Sequence, residues 1–179
     1  MKALKEKYVE AMTADIPPDL VSLKEELSLF YTYPDAYDWN VQWDEKNNEF
    51  LKEIGVPESA PTMINFQAKP KVEDLRISIG FNNYGDRLFV LKESGNLVFE
   101  NHDFNNRLEY LNKDAVSFFR TVCAFTELMR GNRTFPERMK EIDPDAFQED
   151  TWWHREYLST IEEAEQGGSG NPDKPDPRP

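Results

Sequence analysis

From Ile79 to Asp86 the chain runs Ile-Gly-Phe-Asn-Asn-Tyr-Gly-Asp, and the architecture follows from how these residues must fold. Leu75, Ile77, Ile79 and Phe81 alternate with Arg76, Ser78 and Gly80, the period-two pattern of a strand with one buried face. Asn82-Asn83-Tyr84-Gly85-Asp86 is turn chemistry, because Asn and Gly tolerate positive φ. Leu88-Phe89-Val90-Leu91 is apolar at every position, as suits a central strand covered on both faces. Glu93-Ser94-Gly95-Asn96 predicts a second turn leading into Leu97-Val98-Phe99, and Leu108-Glu109-Tyr110-Leu111 predicts a further strand. These connections are too short for parallel crossovers, which need about a dozen residues, so antiparallel pairing is expected.

Helical periodicity flanks the sheet. Leu4, Tyr8 and Ala11 predict a short amphipathic helix, and Leu20, Leu23, Leu27 and Phe30 predict another after Pro17-Pro18-Asp19, with Asp19 as its cap. Asp44 is expected to cap a third helix that buries Phe50, Leu51 and Ile54 and ends at Gly55, before Pro57. Asn112 is expected to cap a helix whose apolar stripe is Ala115, Phe118, Phe119, Val122, Phe125 and Met129, closed by Gly131. Asp143 is expected to cap Pro144-Asp145-Ala146-Phe147, and Trp152, Trp153, Tyr157, Leu158 and Ile161 predict a last helix. The expectation is one domain over residues 1–165. From Gln166 to Pro179 the Gly, Ser, Pro and Asp composition predicts a disordered tail.

The chain has 179 residues, enough for a real core, and 12 Phe, 7 Tyr and 4 Trp to fill it. A formal net charge of -13 disfavours bare nucleic acid and anionic lipid and favours a basic protein partner. The single Cys123 excludes an internal disulfide and fits a reducing compartment. The charged N-terminus has no secretory apolar stretch and no run approaches a membrane span, so a cytoplasmic location is expected.

Phe50-Leu51, Ile54-Gly55-Val56-Pro57, Ile79-Gly80, Gly85-Asp86 and Gly95-Asn96-Leu97-Val98-Phe99 resemble, in order and spacing, motifs of one family. So do Asn112 with Phe118, Ile142-Asp143-Pro144 and Trp152-Trp153. The chain resembles the SUKH superfamily of bacterial toxin-immunity proteins, most closely its fourth subgroup, over roughly Phe50 to Glu163. It departs at Lys113-Asp114, where that family usually shows serines, and at Val56, where leucine is commoner. The resemblance implies an α+β fold, a central, mostly antiparallel sheet surrounded by helices. It also implies a stoichiometric activity: binding and neutralising a cognate toxin domain, often a nuclease or nucleic-acid deaminase. An interaction or scaffold module of the same fold with a non-toxin partner would share these features.

Catalytic chemistry has little to work with. His102, His154 and Cys123 are far apart in sequence and match no zinc spacing, and no Walker or dinucleotide-binding glycine pattern occurs. No catalytic, cofactor or metal residue is expected. Partner binding is expected instead between Tyr31 and Glu58, where seven acids stand against two lysines with aromatics interleaved. Asp35, Tyr37, Asp38, Trp39, Trp43, Asp44 and Glu45 are the candidates there, because aromatic anchors among acids suit a basic partner. The alternative is that the aromatics are core and the acids merely solvated, with Trp39 and Trp43, four apart, forming one packed face. Adjacent Trp152 and Trp153 cannot face the same way on a helix, so Trp152 is a further interface candidate.

Overall fold

The computed structural model describes residues 1–17 and 19–167. Pro18 and the expected tail from residue 168 onward lie outside the described residues. The fold is α+β, built on a six-stranded antiparallel sheet in which every strand pairs with its neighbour in sequence. The strands are β3 (Ser59–Ala60), β4 (Ile64–Val72), β5 (Arg76–Asn82), β6 (Arg87–Leu91), β7 (Leu97–Asn101) and β8 (Arg107–Asn112). A two-stranded ribbon, β1 (Phe30–Tyr31) with β2 (Val56–Pro57), sits beside them. The helices are α1 (Lys2–Thr13), α2 (Val21–Leu27), α3 (Glu45–Glu53), α4 (Ala115–Met129), α5 (Phe135–Ile142) and α6 (Trp152–Gly167). Gln166, the first residue of the expected tail, therefore continues α6.

Turn chemistry places the central strands. Gly85 adopts φ 94°, and the Asn82 carboxamide oxygen accepts from Tyr84 N–H at 3.0 Å and Asp86 N–H at 2.9 Å. β6 lies between β5 and β7, and Leu88, Phe89 and Val90 are fully buried. Leu88 and Val90 join the helix-covered core, while Phe89 faces the other way. There the Arg76 guanidinium lies 3.9 Å and that of Arg87 5.1 Å from its ring centroid, and buried Glu100 bridges the two arginines.

The simple alternation expected for Leu75–Phe81 fails at both ends. Ser78 pairs with Phe89 and Gly80 with Leu88, so Ile79 is the extra residue of a bulge. One inserted residue flips the alternation, which keeps Ile77 and Ile79 buried and turns Phe81 out to 41 % exposure. Leu75 precedes the strand and is exposed. Gly80 lies inside β5, where a Cβ would meet the Asn65 carbonyl oxygen at 2.4 Å.

The α4 stripe packs as expected from Ala115 to Phe125, but Met129, its expected last member, is exposed at the helix end. Phe119 is fully buried against the rings of Tyr8, Phe30 and Phe50, and Phe118 packs edge-on to Phe66 of β4. Its cap is different, because Asp114 rather than Asn112 accepts from Ser117 N–H, at 2.6 Å. Asn112 ends β8, fully buried, and Asp143 likewise makes no side-chain cap to the 3₁₀ turn Pro144–Phe147. Its carboxylate accepts instead from Lys113 N–H at 2.7 Å and from the Tyr110 hydroxyl at 3.0 Å. Helix α2 begins at Val21 with no side-chain cap, so Asp19 does not serve, and it buries none of its residues. Phe30, expected as its last apolar position, belongs to β1. Both β4 and α5 were absent from the sequence expectation. No helix among the described residues is long and apolar enough to cross a membrane.

Candidate partner-binding surface

The acidic stretch folds as two pieces that pack on one another. After Tyr33 the chain makes a 3₁₀ helix, Pro34–Trp39, whose three-residue repeat puts Ala36 and Trp39 on one side. Both are buried, and Asp35, Tyr37 and Asp38 are left exposed. Asn40, at φ 54°, then reverses the chain, and Gln42 N–H donates to the Lys92 carbonyl at 3.1 Å. Half-buried Trp43 is anchored by its indole N–H, which donates to the Gly95 carbonyl at 2.7 Å.

Asp44 caps α3 as expected, accepting from Asn47 N–H at 3.0 Å. Buried Asn47 in turn accepts from Val116 N–H at 3.0 Å, which ties this surface to the first turn of α4. Glu45, Glu49 and Glu53 follow at four-residue spacing and are exposed, so they line one face of α3. That face meets Tyr37. Partial desolvation, then the charges of Glu49, Glu45 and Glu53, push the Tyr37 phenol above its ordinary value. Its ring remains 48 % exposed, with the Lys52 ammonium 5.8 Å from the centroid.

The expected candidates therefore divide. Asp35, Tyr37, Asp38, Asp44 and Glu45 share the surface, together with Glu49 and Glu53. The i, i+4, i+8 spacing of the three glutamates was the signal for the last two. Trp39 is a core residue, its ring 5.4 Å from Tyr33 and 6.5 Å from Trp43. Trp152 is also core: it packs 5.3 Å from Phe99 and nearly perpendicular to Trp153 at 4.8 Å. Adjacent tryptophans are both buried because Trp152 faces β7 while Trp153 faces Phe118, Phe125 and Phe135.

Elsewhere the reactive groups are tied down. Burial pushes the Cys123 thiol up to about 12. His102 holds Asp86 through Nδ1 at 2.9 Å and Asp103 through Nε2 at 3.2 Å, and His154 packs edge-on to Phe147. Among the described residues no three His, Cys, Asp or Glu side chains are grouped to hold a metal ion. Comparison with protein-family models, curated proteins and solved structures finds no match to this chain.

Proposed function

We propose that this chain is a cytoplasmic immunity protein of the SUKH type that binds and neutralises a basic cognate toxin domain stoichiometrically, without turnover. The observation that carries the reading is Tyr37, an exposed ring set among Glu45, Glu49 and Glu53 on a surface braced by buried side chains. A rigid aromatic anchor flanked by acids matches a basic partner, and the net charge of -13 speeds its approach. The antiparallel sheet with helices around it supports the same reading, since it is the architecture the family resemblance implies.

The test is co-expression with the product of the adjacent reading frame, followed by purification and toxicity measurement. A one-to-one complex that abolishes toxicity, and that Tyr37→Ala weakens, supports the proposal. A complex with a non-toxic protein identifies a scaffold module instead, and the absence of any complex removes the immunity reading.

A further inference from the structure

The six-stranded sheet has two edges, and they are guarded differently. On the first, β3 and the backbone of Glu58 cover the start of β4, and the Tyr33 hydroxyl donates to the Gln67 carbonyl at 2.8 Å. Beyond that point the edge reads Ala68-Lys69-Pro70-Lys71, and proline and lysine are the residues that block strand addition. The second edge is β8, where Arg107-Leu108-Glu109-Tyr110 contains neither proline, glycine nor lysine.

In an antiparallel pair alternate residues aim both backbone groups away from the partner strand. Among the described residues, no other element donates to or accepts from the backbone of Arg107–Tyr110 on the side away from β7. The edge instead faces a groove of about 930 Å³, whose far wall is Glu149-Asp150-Thr151 and Arg155. Arg155 lines the groove, joining Glu109 by an ion pair and donating to the Asp150 carbonyl. Leu108, the second residue of β8, is 44 % exposed.

The geometry points to β8 and this groove as a docking site for an extended peptide segment of a partner protein, added as a seventh strand. Unpaired backbone groups call for an extended chain, since only a strand matches their repeat. Charge selects a basic one. The Glu109 carboxylate is neutralised by Arg155, while Glu149 and Asp150 make no ion pair among the described residues and outnumber the unpaired Arg107. The inference does not depend on what the partner protein is, and the site is distinct from the Tyr37 surface.

The experiment is selection from a displayed library of random decapeptides on the full chain, with backbone amide exchange measured on the complexes. The expected binders alternate β-branched or aromatic residues with Lys or Arg and slow exchange in Arg107–Leu111. Methylating alternate peptide nitrogens abolishes binding in one phase and leaves it intact in the other. Glu149→Lys with Asp150→Lys weakens the basic peptides roughly tenfold or more, while the exchange of the remaining sheet is unchanged. Failure to enrich any peptide, or protection on another surface, overturns the site. Enrichment of acidic peptides overturns the charge assignment. Protection of β8 without peptide, rising with protein concentration, makes a second copy of this chain the occupant and overturns the proposed partner.

Discussion

The Asn112 carboxamide oxygen accepts a hydrogen bond from the Trp153 indole N–H at 3.1 Å, with both side chains fully buried. The same carboxamide donates to the Thr121 hydroxyl at 3.1 Å and to Asp143 at 3.3 Å. One side chain at the end of β8 thus satisfies α4, α6 and the segment after α5. Asn112→Ala leaves several buried polar groups short of partners and a void beside Trp153. The expected loss is on the order of 3 kcal/mol, read as a lower urea midpoint at unchanged slope. A midpoint equal to that of the wild type would show that water replaces the carboxamide.

Gly95 and Trp43, far apart in sequence, fit closely against one another. A Cβ at Gly95 would lie 2.2 Å from the Trp43 indole nitrogen, and Gly95 also sits at φ 75°. Gly131 has φ 91° but open space where its Cβ would be. Gly131→Ala should therefore cost only the left-handed backbone term, about 1–2 kcal/mol. Gly95→Ala adds overpacking and should cost roughly 2–5 kcal/mol. A double-mutant cycle with Trp43→Ala should recover part of that difference, and strict additivity would place the clash elsewhere.

The His102–Asp86 pair predicts a pH dependence of stability with a definite sign. The hydrogen bond to Asp86, and the charges of Asp103 and Asp86, outweigh desolvation and hold the His102 imidazole above its ordinary value. Its stabilisation is complete below the unfolded value near 6.5 and is lost as pH rises through the raised folded value. Desolvation alone would raise the Asp86 carboxyl, but hydrogen bonds from Asn82 and His102 prevail and hold it low. Its share is present above 3.8 and is lost as pH falls through the depressed folded value. Urea midpoints should fall in the wild type as pH rises from 6.5 through the raised folded value, and His102→Gln should flatten that slope. An unchanged slope in the variant would assign the titration to another group.

Burial separates the aromatic candidates from the acidic ones. Trp39→Ala should cost about 3–5 kcal/mol in stability, because its ring is enclosed by Tyr33 and Trp43. Glu49→Lys with Glu53→Lys should leave the melting point nearly unchanged and slow association with a basic partner. That slowing should shrink as salt shortens the Debye length to about 8 Å. Surface plasmon resonance across a salt series checks this, and charge reversal with no effect on the association rate would move the interface away from Tyr37.

The central part of the fold was legible in the chain because its determinants are local. Alternation at Ile77 and Ile79, the turns at Gly85 and Gly95, and the apolar stripe of α4 each act within a few residues, so β5 to β7 and α4 stand where period and turn chemistry put them. Two missed elements carried a readable signal. Ile64, Phe66 and Ala68 alternate in β4, although Pro70 obscures the strand, and Phe135, Met139 and Ile142 repeat at helical spacing in α5. Glu45, Glu49 and Glu53 were equally visible as one helix face.

Other outcomes depended on what packs against a residue, which no local pattern encodes. The bulge at Ile79 turned Phe81 outward because β6 offers one residue against two. Asn112 and Asp143 look like helix caps in the chain, yet each found stronger partners across 31 residues and more, in a site that exists only once β8, α4 and α6 have docked. Trp39 and Trp152 were read as anchors for a partner, and the core took both. A large ring gains the same free energy from any surface that excludes water, so its chemistry alone does not distinguish an interior from an interface. Tyr37 stayed outside because the three-residue turn that buries Ala36 and Trp39 leaves it on the opposite side.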